Sequence, residues 1–151
     1  MKTLTIGKFA VLILTLTAFL AFKGEKDKLH KRNFTIDLSE PKKPKTTPDE
    51  LQFKDGKIWC GDVVSEKLEL KLIRYELVKD STYMDEETEV EYIEVVATTE
   101  MEKGESFEFK CVIDNYEIEG GMRHLKNGKD KKTWSFTGKE KVKVEKDKKK
   151  K

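Results

Sequence analysis

The stretch from residue 105 to residue 138, ESFEFKCVIDNYEIEGGMRHLKNGKDKKTWSFTG, limits the fold more than any other part of the chain. Apolar and polar residues alternate along it, which is the period of a half-buried strand. Asp114-Asn115 and Asn127-Gly128 interrupt the alternation with residue types that tolerate the positive φ of tight hairpin turns. The stretch therefore predicts three consecutive antiparallel strands joined by two turns.

Similar patterns precede it. An Asp-Gly turn separates two short apolar runs between Phe53 and Trp59, and Glu89–Thr99 is apolar on both faces, as in a central or barrel strand. We interpret Lys67–Val78 as a strand with a bulge near Leu72-Ile73, where the alternation changes parity, and a helix is the competing interpretation. The chain is thus predicted to be all-β, with about six strands in an antiparallel meander that forms an up-and-down barrel or a small sandwich.

Charge is unevenly placed along the chain. Residues 49–141 contain 15 lysines and arginines against 23 aspartates and glutamates, whereas the remaining residues contain 16 against 6. An acidic body repels phosphate backbones, so we expect no nucleic-acid partner. We expect residues 142–151, which are mostly lysine, to be a disordered basic tail.

The N-terminal residues carry the features of an export signal. Lys2 and Lys8 form a positive segment before an uncharged apolar run, Phe9–Phe22, which has the length of a signal peptide's apolar segment and is short for a membrane span. An uncleaved anchor formed by residues 1–22 is the alternative. Residues 23–48 are rich in lysine and proline and are predicted to be a disordered linker. We therefore expect a β-domain over residues 49–141 that is secreted or periplasmic, or anchored to the membrane by residues 1–22.

The residues that catalysis or metal binding needs are few. The histidines are His30 and His124, there is no G-x-S-x-G motif, and no histidine has a predicted nucleophile beside it. His124, Cys60 and Cys111 lack the close ligand pairs of a zinc site, and the acidic loop at 80–88 lacks the residue order of a calcium loop. We therefore expect no catalytic residue, metal or cofactor.

Two sets of residues leave alternatives open. Glu117 and Glu119 lie on one face of a predicted strand, so a hydrolase that acts on a glycan is the alternative to a non-enzymatic protein. In an exported chain, Cys60 and Cys111 predict a disulfide, whose alternative is a pair of small buried thiols.

A ligand site is predicted inside the sheet. The inward positions are apolar or aromatic with one histidine: Phe107, Phe109, Ile118, Met122, His124, Trp134 and Phe136. Such residues line apolar pockets, but a packed core needs the same ones, and we favour the core. We expect a monomeric, non-enzymatic binding or interaction protein whose partner is a small apolar ligand or another envelope component.

Three short motifs carry a resemblance. They are Phe53–Lys57, with its Asp-Gly turn, the hairpin Val112–Met122, and the closing Trp134–Gly138. Over residues 49–138 the chain resembles small exported β-proteins of Bacteroidetes-type bacteria, and its closing motif is similar to that of calycin, or lipocalin-like, barrels. The resemblance implies a small β-barrel at the cell envelope and, through the lipocalin-like barrels, a binding role.

Overall fold

A computed structural model describes residues 27–142 of the chain. The predictions for a signal peptide or anchor at 1–22 and for the tail beyond residue 142 lie outside the described residues. Within residues 27–142, no helix has the length and apolar content needed to cross a membrane.

The described residues form eight antiparallel strands and one α-helix. Each strand pairs with the next, and the last pairs with the first, so the sheet closes as a barrel. This confirms the all-β meander, with more strands than predicted. In chain order the elements are β1 (Asn33–Ser39), β2 (Thr47–Lys54), β3 (Lys57–Trp59), α1 (Gly61–Leu68), β4 (Ile73–Asp85), β5 (Thr88–Glu100), β6 (Glu105–Asp114), β7 (Glu117–Lys126) and β8 (Lys129–Glu140).

Strand β1 corrects the predicted linker at residues 23–48. It lies between β2 and β8, and Phe34, Ile36 and Leu38 on it are buried. The period-two alternation of a half-buried strand is present in these residues. The lysines and prolines that follow belong to the β1–β2 connection and to β2, and their composition concealed the strand before them.

Helix α1 was not among the elements predicted from the sequence, and it ends where the predicted strand Lys67–Val78 was expected to begin. The Asp49 carboxylate of β2 accepts hydrogen bonds from the backbone N–H groups of Asp62 and Val63 at 2.9 and 3.0 Å, so a residue distant in sequence caps the helix. Strand β4 begins only at Ile73, and its bulge lies between Leu77 and Lys79 rather than near Leu72-Ile73.

The barrel interior is a packed core. Phe34 and Phe53 meet edge to face with centroids 5.8 Å apart, and Phe109 and Phe136 stack at 5.6 Å. All seven inward positions predicted from the sequence are at most 4% exposed. Gly120 allows β6 and β7 to approach closely, because a Cβ there would lie 2.2 Å from the carbonyl oxygen of Lys110.

Candidate functional site

The residues predicted to bind a ligand do lie together, but they form part of the packed core. Phe107, Phe109, Ile118, Met122, Trp134 and Phe136 belong to one cluster of buried apolar residues, and His124 is buried beside them on β7. An eight-stranded barrel has an interior wide enough for side chains to fill, and here large side chains occupy it. Cavities that are open to a ligand lie at the surface instead: a groove of about 790 Å³ along β6, β7 and β8, to which Phe109, Met122, Trp134 and Phe136 contribute, and two smaller cavities at the end of the barrel next to α1.

Three lysines, which we call the lysine rim, stand at that end. Lys67 lies in the last turn of α1, and Lys131 and Lys132 lie near the start of β8. They border a cavity of about 450 Å³. Its other lining residues are Leu68, Glu69, Met101, Glu105 and His124.

A second cavity of about 520 Å³ adjoins the first. The two share four lining residues, and the second adds apolar side chains from the α1–β4 connection, Leu70 and Leu72. We call the two cavities together the rim groove. Apolar side chains line it at the Leu70 end and three lysines line it at the other end, so the rim groove is amphiphilic. Four glutamates also line the groove: Glu69, Glu100, Glu102 and Glu105.

Glu105 organises the cationic end. Its carboxylate lies 2.6 Å from His124 Nε2 and accepts a hydrogen bond from Lys131 Nζ at 2.9 Å. Hydrogen bonds from Lys131 and His124 lower the pKa of the Glu105 carboxyl. The sequence singled out His124 but not this partner, because the pairing of β6 with β7 is what places residues 105 and 124 together. His124 is thus held by an ionised carboxylate, an arrangement that fixes its ring.

Lys132 connects the rim groove to the core. Its ammonium lies 3.1 Å from Glu40 and 5.1 Å from the ring centroid of Trp134. The neighbouring Lys132 lowers the pKa of Lys67, and the two lysines line the same cavity. Among the described residues, no carboxylate lies within 4.0 Å of the Lys67 ammonium. Of the three rim lysines, Lys67 is therefore the one without a direct carboxylate partner among the described residues.

The two cysteines are buried free thiols in this structure. Burial, and then the charge of Asp49, raises the pKa of the Cys60 thiol to about 12. Burial raises the pKa of Cys111 too, with a further contribution from Cys60, so the two sulfurs are within electrostatic range. Neither is a thiolate nucleophile at neutral pH. Their pairing as a disulfide stays a prediction.

Glu117 and Glu119, which suggested a hydrolase, lie on the outer face of β7. They border a shallow cavity of about 640 Å³. The Glu117 side chain is 70% exposed and lies 3.3 Å from the Lys139 ammonium. A glycosidase needs two carboxylates in different environments, and the outer face gives both of these access to water. No cluster of three or more metal-ligating side chains occurs in the part of the chain that the structure describes.

Comparison of the chain with protein-family models, with curated proteins and with solved structures gave no match.

Proposed function

We propose that this protein is a non-enzymatic binding protein, and that it takes a small apolar molecule bearing an anionic group in the rim groove. The observation that supports this is the amphiphilic lining: an apolar floor beside three lysines, of which Lys67 has no carboxylate partner among the described residues.

The apolar part of such a ligand gains by leaving water. Leu68, Leu70 and Met101 line the groove, and burial of each methylene against such side chains contributes about 0.8 kcal/mol. Methionine adapts to ligands of varied shape because its side chain is unbranched and polarisable. This end of the groove therefore favours an alkyl or terpenoid body without demanding one outline.

The anionic group gains at the lysine rim. Two ammonium groups that repel each other are stabilised when an anion is placed between them. Lys131 is paired with Glu105 and Lys132 with Glu40, so Lys67 is the first cation we assign to the ligand, and Lys132 beside it is the second. A carboxylate has two acceptor oxygens and can therefore accept a hydrogen bond from each lysine.

The proposal includes a place of action. The signal-like residues 1–22 and the resemblance to exported, lipocalin-like β-proteins support a protein that is secreted or periplasmic, or anchored by those residues at the envelope. Such a protein would act as a monomer that holds a ligand or passes it on.

The test is a titration with dodecanoate, followed by tryptophan fluorescence. Lys132 lies over Trp134, so movement of its ammonium toward a ligand changes the environment of that indole. We expect a saturable change with dodecanoate and at least about tenfold weaker binding of uncharged dodecanol. Lys67→Gln and Lys132→Gln should each weaken dodecanoate binding, while Lys139→Gln, which removes an exposed lysine from the outer face, should not.

Equal binding of the acid and the alcohol, or equal effects of all three lysine variants, would overturn the assignment. Reproducible turnover of a glycan that is lost in a Glu117→Gln, Glu119→Gln double variant would instead establish the hydrolase alternative.

A further inference from the structure

Strand β4 has a long edge that pairs with no other strand of residues 27–142. Its pairing with β3 includes only Ile73 and Arg74, and one further hydrogen bond joins Tyr75 N–H to the Gly56 carbonyl at 3.1 Å. From Glu76 to Asp85 no other described strand pairs with this edge, while β5 pairs with the opposite one.

The end of this strand belongs to an arm that projects from the barrel. We call residues 80–91 the arm. Strand β6 pairs with β5 only from Tyr92 onward, so the arm extends beyond it. After the bulge, Asp80–Asp85 pairs residue by residue with Thr88–Ile93. The free edge there is regular, and a regular edge presents alternating N–H and C=O groups that another strand can use.

Apolar side chains are exposed along the same strand. Tyr83 is 46% and Met84 65% exposed, and they point to opposite faces because they are adjacent in a strand. Proteins usually protect a free edge with lysines that point outward. Here the Lys79 ammonium lies over the Tyr92 ring, 4.9 Å from its centroid, and Lys28 reaches Asp80. Beyond Asp80 the edge carries no lysine.

The negative charge of the arm favours a basic partner. Residues 80–91 contain six aspartates and glutamates and no lysine or arginine. We propose that the free edge of β4 at Asp80–Asp85 takes up an extended, basic segment of another protein as an added strand. Main-chain hydrogen bonds supply affinity in this mode, and the side chains beside the edge select the sequence. A segment with alternating cationic and apolar residues fits this edge. Its cationic residues would pair with the acidic groups of the arm, and its apolar residues would contact Met84 or Tyr83.

The test uses two synthetic peptides, acetyl-Lys-Val-Lys-Val-Lys-Val-amide and the same peptide with glutamate in place of lysine. Hydrogen exchange followed by mass spectrometry measures the protection of the backbone amides of Asp80–Asp85 in the full chain. We expect the basic peptide to protect these amides and the acidic peptide to leave them unchanged. High salt should weaken binding of the basic peptide without abolishing it, because part of the affinity comes from the backbone.

Two charge variants separate strand addition from general attraction. Asp85→Asn, Glu86→Gln, Glu89→Gln removes three charges from the arm, and Asp114→Asn, Glu117→Gln, Glu119→Gln removes three from the barrel's outer face. The first should weaken binding by about tenfold and the second by less than about twofold.

Equal weakening by the two variants, or protection spread evenly over the barrel, would overturn the proposal. A chain that ends at Val142 is the last control. If the peptide binds only after residues 143–151 are removed, the occupant is the chain's own C-terminal segment, and the proposal of an external partner fails.

Discussion

Replacement of Arg32 by methionine tests whether the residues before β1 are an integral part of the fold. The guanidinium donates to both oxygens of Glu140 at 3.0 and 2.8 Å, to Glu91 at 2.9 Å and to the Asn115 carbonyl at 2.6 Å. Its side chain is only 14% exposed. These contacts join the segment before β1 to β5, β8 and the β6–β7 turn, which a disordered linker would not do.

The loss of stability in Arg32→Met follows from the carboxylates that lose their partner. Methionine keeps most of the apolar stem but leaves Glu140, 18% exposed, without its two hydrogen bonds. Removal of one partner of a buried ion pair costs about 3–5 kcal/mol, and Glu91 is exposed enough for water to replace part of the loss. We therefore expect Arg32→Met to reduce the free energy of unfolding by about 2–4 kcal/mol.

Urea denaturation followed by tryptophan fluorescence measures this change, and Arg123→Met is the matched control. Arg123 also reaches two carboxylates, Asp130 at 2.9 Å and Glu108 at 3.0 Å, but it is 49% exposed. An exposed arginine of this kind contributes about 0–1 kcal/mol. Equal losses in the two variants would refute the reasoning, because burial is the difference on which it depends. A loss below about 1 kcal/mol for Arg32→Met would mean that its contacts contribute no more than those of an exposed arginine.

Four further results are expected. Gly120→Ala should lower the urea midpoint by overpacking, at a cost of about 1–3 kcal/mol or more, whereas Gly121→Ala, whose Cβ would lie 3.2 Å from its nearest neighbour, should cost less; similar midpoints would contradict the close approach of β6 and β7. Thiol titration with a disulfide reagent should show the two buried thiols reacting at least about a hundredfold more slowly in the folded than in the unfolded protein; no reaction in either state would reveal a disulfide. Hydrogen bonds from two lysines lower the pKa of Glu40 to about 2, so its contribution to stability is present above its ordinary pKa of 4.5 and is lost as the pH falls toward 2; Glu40→Gln should therefore destabilise the protein at neutral pH and not near pH 2. Because Lys132 lowers the pKa of Lys67, an anion bound there draws a proton onto Lys67, and dodecanoate affinity should fall as the pH rises; a flat profile would remove Lys67 from the site.

The sequence predicted the second half of the barrel well. Strands β6, β7 and β8 follow the alternation in residues 105–138, and their turns lie at the Asp-Asn and Asn-Gly pairs. A strand that is buried on one face is specified by its own residues, so local pattern suffices. Local pattern did not suffice for strand β1, because its alternation is short and a lysine- and proline-rich stretch follows it. The contribution of Arg32 depends on partners more than fifty residues away.

Helix α1 and the lysine rim could not be predicted either, because each depends on residues that are distant in sequence. The helix is capped by Asp49 of β2, and the leucines that made Lys67–Val78 resemble a strand are divided between the helix end, a connection and β4. Lys67 and Lys132 are distant in sequence, and the closing of the barrel brings them together. Neither lysine has a local signal that distinguishes it from the other charged residues, which make up 40% of the chain.

The packing of the interior explains why a binding site at the rim suits this barrel. Eight strands leave space for a ligand only when the inward side chains are small. Here Phe107, Phe109 and Trp134 point inward, and Gly120 and Gly138 bring neighbouring strands together instead of widening the interior. Apolar burial at a rim is incomplete, so a larger share of the affinity must come from charge than in a barrel that encloses its ligand. Removal of one rim lysine should therefore have a larger effect on affinity than removal of one apolar side chain from the floor of the groove.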